Sequence, residues 1–183
     1  LCLLILASTC SLGADFQKGL DAYENGDFQA AHNEWRPLAL DGDSGAQLNL
    51  GYMYDFGQGV LQDYKEAIKW YKLAADQGSS KAQNNLGIMY VNGQGVLQDY
   101  KEAMKWYKLA ADQGHIGAQL SVGNMYDFGQ GVLQDYKEAM KWYKLAADQG
   151  NSKAQYNLGL MYVLGQGVLQ DYKQAVKWYK LAA

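Results

Sequence analysis

The sequence predicts an all-α fold built of repeated helix pairs. Three observations carry this. Alanines at Ala46, Ala82, Ala118 and Ala154 each open a copy of one 36-residue unit that contains GQGVLQDYK and then KWYKLAA. Apolar residues inside each copy recur with helical spacing, and glycines fall at fixed places after those runs. A period of this length belongs to units that cannot bury their apolar faces alone and stack on their neighbours, so the expected architecture is an α-solenoid. The units run 46–81, 82–117, 118–153 and 154–183, preceded by a divergent segment over 15–45. Stacked units favour a binding surface over a catalytic pocket.

The amino terminus has a different character. Leu1 to Ala7 is an unbroken apolar run, small and polar residues follow through Ala14, and Asp15 is the first charge. That order matches the apolar core and cleavage region of a secretory leader, and it is far below the roughly 20 residues of a membrane span. Residues 1–14 are therefore expected to be a leader whose basic start lies upstream, cut after Gly13 or Ala14. The mature chain is expected in the periplasm or outside the cell. Cys2 and Cys10 would leave with the leader, so no disulfide and no thiol chemistry are expected; lipidation of Cys10 is the alternative.

The segment 15–45 reads as an amino-terminal cap. Phe16, Gly19, Ala22 and Tyr23 form a first helical stripe, Asn25-Gly26-Asp27 a short turn, and Phe28, Ala31 and Trp35 a second stripe. Pro37 removes a helix hydrogen bond and is expected to bend that second helix.

Each full unit separates into two helices and a long turn. In the first copy, Ala46, Leu50, Met53 and Tyr54 share one side of a helix that Gly57-Gln58-Gly59 ends, because glycine tolerates the positive φ needed there. Val60 and Leu61 are expected to tuck under the turn. Asp63 caps the second helix, with Glu66 three residues on completing a capping box. Tyr64, Ala67, Ile68, Tyr71, Ala74 and Ala75 form its inward stripe, and Gly78, Gly114 and Gly150 close the second helices of three copies.

Several recurrent residues are explained by packing. Gly51, Gly87, Gly123 and Gly159 sit mid-helix at a cost of up to about 1 kcal/mol relative to alanine, which close approach of the partner helix would offset. Trp70, Trp106, Trp142 and Trp178 are expected between repeats, and Gln58 in the turn. His32 and His115 occur in unlike contexts without recurring His, Cys or carboxylate partners, so no metal site is expected, nor any cofactor. His115, after Gly114, is expected to be solvated. A formal charge of −3 and a pI near 5.3 lack the clustered Lys and Arg that a phosphate backbone requires, which argues against nucleic acid. No S-x-x-K sequence and no Ser/His/Asp grouping supports catalysis.

Differences among the copies point to a site. On the first helix the varying positions are Leu48/Asn84/Leu120/Tyr156, Tyr52/Ile88/Asn124/Leu160, Asp55/Val91/Asp127/Val163 and Phe56/Asn92/Phe128/Leu164. At about 100° per residue they share an arc away from the apolar stripe. Drift on a solvated face favours polar residues, yet several of these are apolar. The candidate partner-binding face is therefore Tyr52, Asp55, Phe56, Ile88, Asn124, Asp127, Phe128 and Leu160, on the concave side of the stacked first helices. Apolar anchors beside carboxylates suit a protein or peptide partner with apolar and basic residues.

The order of Leu50, Gly51, Met53, Tyr54, Gly57, Gly59, Val60, Gln62, Asp63, Tyr64, Ala67, Trp70, Tyr71, Ala74, Ala75 and Gly78 resembles the Sel1-like repeat, a relative of the tetratricopeptide repeat with a longer inter-helix turn. The resemblance covers 46–183. It implies a right-handed α-superhelix that acts as an adaptor for protein–protein contacts, often outside the bacterial cytoplasm. Some secreted relatives are described as penicillin-binding proteins or β-lactamases, so a β-lactam- or peptidoglycan-binding hydrolase is the alternative. Those relatives pair cysteines on the two helices of a repeat, and the matching positions here carry none.

Overall fold

Aspartate side chains set where most helices of this chain begin. The structure, a computed structural model, describes residues 13–183; Cys2, Cys10 and the apolar run of the expected leader lie outside the described residues. Among the described residues there are ten helices and no strand: α1 (Phe16–Glu24), α2 (Phe28–Leu40), α3 (Ser44–Phe56), α4 (Tyr64–Asp76), α5 (Ser80–Asn92), α6 (Tyr100–Asp112), α7 (Ile116–Phe128), α8 (Tyr136–Asp148), α9 (Ser152–Leu164) and α10 (Tyr172–Ala182). The described residues divide into two compact units, the first ending at Ala82 and the second Gln83–Ala183.

In the first unit, Asp15, Asp27, Asp43 and Asp63 each accept backbone N–H bonds at the start of α1 to α4, satisfying donors that a helix leaves free. α2 continues through Pro37 to Leu40. α3 and α4 are antiparallel: Gln47 meets Gln77, Gly51 meets Tyr71, and the Asp63 N–H donates to the Tyr54 carbonyl. Gly51 is the point of closest approach. A Cβ there would lie 2.3 Å from the Tyr71 ring, so only glycine lets this ring seat against the α3 backbone. The α4 end is a Schellman motif, with the Gly78 N–H on the Ala75 carbonyl and the Ser79 N–H on the Ala74 carbonyl.

The turn between α3 and α4 differs from expectation in two places. Asp63 caps α4 through the N–H groups of Lys65 and Glu66 at 2.9 and 3.1 Å, but the reciprocal arm of a capping box is not made. The Asp63 N–H is already taken by Tyr54, and the Glu66 carboxylate pairs with Lys69 at 2.6 Å. Val60 packs on the core while Leu61 is 91% exposed; the Gln62 amide folds back to the Asp55 carbonyl at 2.7 Å and leaves the leucine at the tip. Gly59 has φ 68° and approaches the Phe28 backbone so closely that a Cβ would sit 2.7 Å from it. The first core contains Ala31, Trp35, Ala39, Ala46, Leu50, Met53 and Trp70, so Trp70 does reach back into the preceding helices.

The second unit repeats these devices. Gly87, Gly123 and Gly159 face the rings of Tyr107, Tyr143 and Tyr179, each within 2.5 Å of a hypothetical Cβ. Trp142 and Trp178 pack on the cores of the preceding copies, and both are half-buried, as is Trp106. His115 departs from its expected solvated role. It is the N-cap of α7, and its Nδ1 accepts the Ala118 N–H at 3.1 Å, the task Asn151 performs for α9.

A buried amide ladder was not foreseen. Gln47, Gln119 and Gln155 donate to the carbonyls of Ala39, Ala111 and Ala147 at 3.0 to 3.2 Å. The Oε1 atoms of Gln47, Gln83 and Gln119 accept from Gln77, Gln113 and Gln149. Gln47, Gln83 and Gln119 thus tie their first helix to the end of their own second helix, and Gln47, Gln119 and Gln155 tie it to the preceding one.

Candidate functional site

The candidate face begins with residues three and four apart on α3, which neighbour one another on a helix surface. Tyr52 and Phe56 stack with centroids 6.3 Å apart and planes 21° apart. Tyr52 also meets Tyr71 edge-on at 5.6 Å. The Tyr71 hydroxyl donates to Asp55 at 3.1 Å. Burial raises the Asp55 carboxyl above its ordinary value, and the tyrosine bond offsets this in part. Phe56 itself is 64% exposed. One station therefore combines a stacked aromatic pair, open on one side, with a half-buried carboxylate.

The second unit carries a related station on α7. The Tyr143 hydroxyl lies 3.0 Å from the Asp127 carboxylate and 2.8 Å from the Asn124 carbonyl oxygen. Burial again raises Asp127, and Phe128 is 68% exposed. Asn124 stands where Tyr52 stands in the first unit, so this station is more polar. None of the ion pairs among the described residues involves Asp55 or Asp127. Both carboxylates are thus held by a tyrosine rather than by a cation.

Of the predicted residues, Tyr52, Asp55 and Phe56 are joined through the Tyr71 ring, and Asn124 and Asp127 through Tyr143. Ile88 is an exposed apolar side chain on α5, and Leu160 is one of several on α9, beside the more exposed Tyr156 and Leu164. The second unit also has a recess of about 380 Å³ beside Asn124, lined by Leu120, Ser152, Lys153, Tyr156 and Asn157.

A cleft of about 470 Å³ in the first unit went unread in the sequence. Leu20 and Tyr23 of α1 and Trp35 of α2 form one side, and Asn49, Tyr52 and Phe56 of α3 the other. Gln58 closes it, its Oε1 accepting the Tyr23 hydroxyl at 2.6 Å. The signal was a repeated turn glutamine and a small polar residue recurring as Asn49, Asn85, Ser121 and Asn157. Both were legible as a pattern, but only the divergent cap supplies the opposite wall. Among the described residues, no helix is long and apolar enough to cross a membrane.

Comparisons with known proteins agree with this geometry. The family model described as the Sel1 repeat matches residues 44–79, 80–115, 116–151 and 152–183, units that start at the first residues of α3, α5, α7 and α9. A Sel1 repeat protein from Oxalobacter formigenes is 41% identical with a TM-score of 0.87, over 92% of this chain and 69% of that one. A protective antigen of uropathogenic Escherichia coli strains, displaying the same repeat fold, is 37% identical with a TM-score of 0.88; the match covers 91% of this chain and 37% of the antigen. A sel1 repeat structure from Klebsiella pneumoniae is similar in fold, at 23% identity and a TM-score of 0.58, over 91% of this chain and 83% of that one. No curated protein sequence matches. With four matched units and all-α repeat neighbours at 37% and 41% identity, the chain belongs to the Sel1 repeat family.

Proposed function

We propose that the chain is a scaffold that holds a peptide or a segment of a partner protein against the exposed faces of its first helices. Sel1 repeat proteins are generally protein-interaction scaffolds. The observation that carries the finer reading is the recurrence, once in each unit, of an exposed phenylalanine beside a half-buried carboxylate that no cation neutralises. Exposed aromatic rings supply anchor energy at interfaces. The carboxylates select basic side chains, because a cation restores the charged form that burial disfavours. Ile88 and Leu160 add apolar contact. Catalysis has no part in this reading.

We also propose, from the leader-like order of residues 1–14, that the protein is exported to the periplasm or outside the cell. The expected cut after Gly13 or Ala14 leaves the Asp15 cap of α1 intact, so cleavage would not disturb the first helix. Amino-terminal sequencing of the exported protein should find Ala14 or Asp15; retention of residues 1–10 would contradict it.

Selection of a random peptide-display library on the immobilised chain tests the binding reading. Sequences mixing apolar and basic residues should be enriched, and a Phe56→Ala, Phe128→Ala double variant should fail to enrich them. Equal enrichment on the double variant, or none on the parent chain, would contradict it.

A further inference from the structure

The cleft of the first unit joins the Asp-Phe station of α3 to the divergent cap, since Leu20, Tyr23 and Trp35 wall it opposite Tyr52 and Phe56. Its volume of about 470 Å³ falls in the range of roughly 300–1,000 Å³ typical of ligand pockets. The walls are apolar and aromatic, and the polar groups are neutral amides: Asn49, and Gln58 with its oxygen already engaged by Tyr23. A peptide main chain presents neighbouring N–H and C=O groups, which such amides can meet.

The helices that line the cleft carry more acidic than basic residues. The two helices that line most of the cleft, α1 and α3, carry Asp21, Glu24 and Asp55 against a single Lys18. Asp55 sits three residues from Tyr52, an advance of about 4.5 Å along the helix. It has a hydrogen bond from Tyr71 and takes part in none of the ion pairs of the described residues. The Tyr52 and Phe56 rings beside it offer faces on which a guanidinium or ammonium can lie.

We propose that this cleft is the anchor site for an extended segment of a partner protein in which a bulky apolar side chain is followed two residues later by arginine or lysine. In an extended strand, residues i and i+2 project to the same side about 7 Å apart. The apolar side chain fills the cleft, while the basic one crosses the Tyr52–Phe56 stack to the Asp55 carboxylate. Arginine is the better fit, because its planar guanidinium stacks on rings and meets a carboxylate with two donors. The inference rests on the scaffold reading and adds to it a defined pocket, a spacing and a sign of charge.

The test uses the full chain and three labelled heptapeptides read by fluorescence polarisation: Gly-Gly-Phe-Gly-Arg-Gly-Gly, the same with Glu for Arg, and the same with Ala for Phe. The parent peptide should bind, and each changed peptide should bind at least about tenfold more weakly, the effect of roughly 1.4 kcal/mol. Leu20→Ala and Tyr52→Ala should weaken the parent peptide by a similar factor while circular dichroism stays unchanged. Asp55→Asn should abolish the preference for Arg over Glu. Equal affinity for the Arg and Glu peptides overturns the proposal, as does indifference to Leu20→Ala and Tyr52→Ala, or a dissociation constant of the parent peptide above about 1 mM. So does self-association of the chain that Tyr52→Ala removes, because the cleft would then hold a second copy. If display-selected peptides need Asp127 and Phe128 but not Leu20 and Tyr52, the cleft is overturned and the scaffold reading stands. If no peptide is enriched on the chain, the scaffold reading fails with it.

Discussion

The Tyr71 hydroxyl donates to the Asp55 carboxylate across 3.1 Å, and its ring fills the space that a Cβ on Gly51 would occupy. One side chain thus locks α3 to α4 and also positions the acid of the candidate site. Packing and recognition share a residue, and their contributions separate by substitution.

Gly51→Ala should destabilise the protein. Alanine gains up to about 1 kcal/mol of helix propensity, but the Tyr71 ring is flanked by backbone and core and has to shift, a cost of about 1–3 kcal/mol or more for overpacking. Gly123→Ala should behave alike against Tyr143, whose ring stands 2.5 Å from that Cβ position. Urea denaturation followed by circular dichroism reads the sign. A stabilised alanine variant would mean that the ring moves freely and that close approach is not what the glycine provides.

Gln47→Leu should cost about 1–3 kcal/mol, the usual effect of leaving buried polar groups unpaired. The Ala39 carbonyl would lose its donor and the Gln77 amide its acceptor. Exposed Gln29, bonded only to Asn33 in its own helix, should tolerate the same change within about 0.5 kcal/mol. Similar melting of the two variants would show that the amide ladder adds nothing to stability.

Acid should weaken the first unit through His32. Burial and the nearby Arg36 hold its pKa below the ordinary value, and the ring stands edge-on to Tyr54 at 6.2 Å. The folded state resists the proton that the unfolded chain accepts, so stability falls as pH drops below the unfolded value near 6.5. His32→Phe should remove that part of the slope in melting temperature between about pH 7 and pH 5. An unchanged slope would assign it to other groups.

Asp55 works in the opposite direction. Its raised pKa means that the folded state holds the proton more tightly than the unfolded chain, so the carboxylate favours folding below its unfolded value and this advantage is lost as pH rises through the folded pKa. Asp55→Asn should therefore melt higher than the parent near pH 7, with the gap closing as pH falls into the carboxylate range. A gap that widens in acid would show that the Tyr71 bond, not burial, governs this carboxylate.

Much of the helical framework was legible because it is written in register. The mid-helix glycines, Asp63 and the aromatic at Tyr71 recur every 36 residues, and identical recurrence of a costly residue signals a packing need. What escaped was settled by groups outside that register or by competition between partners. Gln62 folds onto the Asp55 carbonyl and sends Leu61 into solvent. Tyr54 takes the Asp63 N–H that a capping box would need. Gln47 looks like any surface glutamine until the preceding helix covers it. The variable face was visible as a pattern, but its cleft was not, since one wall belongs to the cap, where the repeat gives no register.

Paired measurement of peptide affinity and melting temperature for Phe56→Ala and Phe128→Ala tests the scaffold reading most directly. Both rings are mostly exposed, so melting should move by less than the equivalent of about 0.5 kcal/mol, while binding of a display-selected peptide should weaken by about 1–3 kcal/mol for each ring. Unchanged affinity together with a large fall in melting temperature would contradict it, because the two rings would then hold the repeats together rather than a partner.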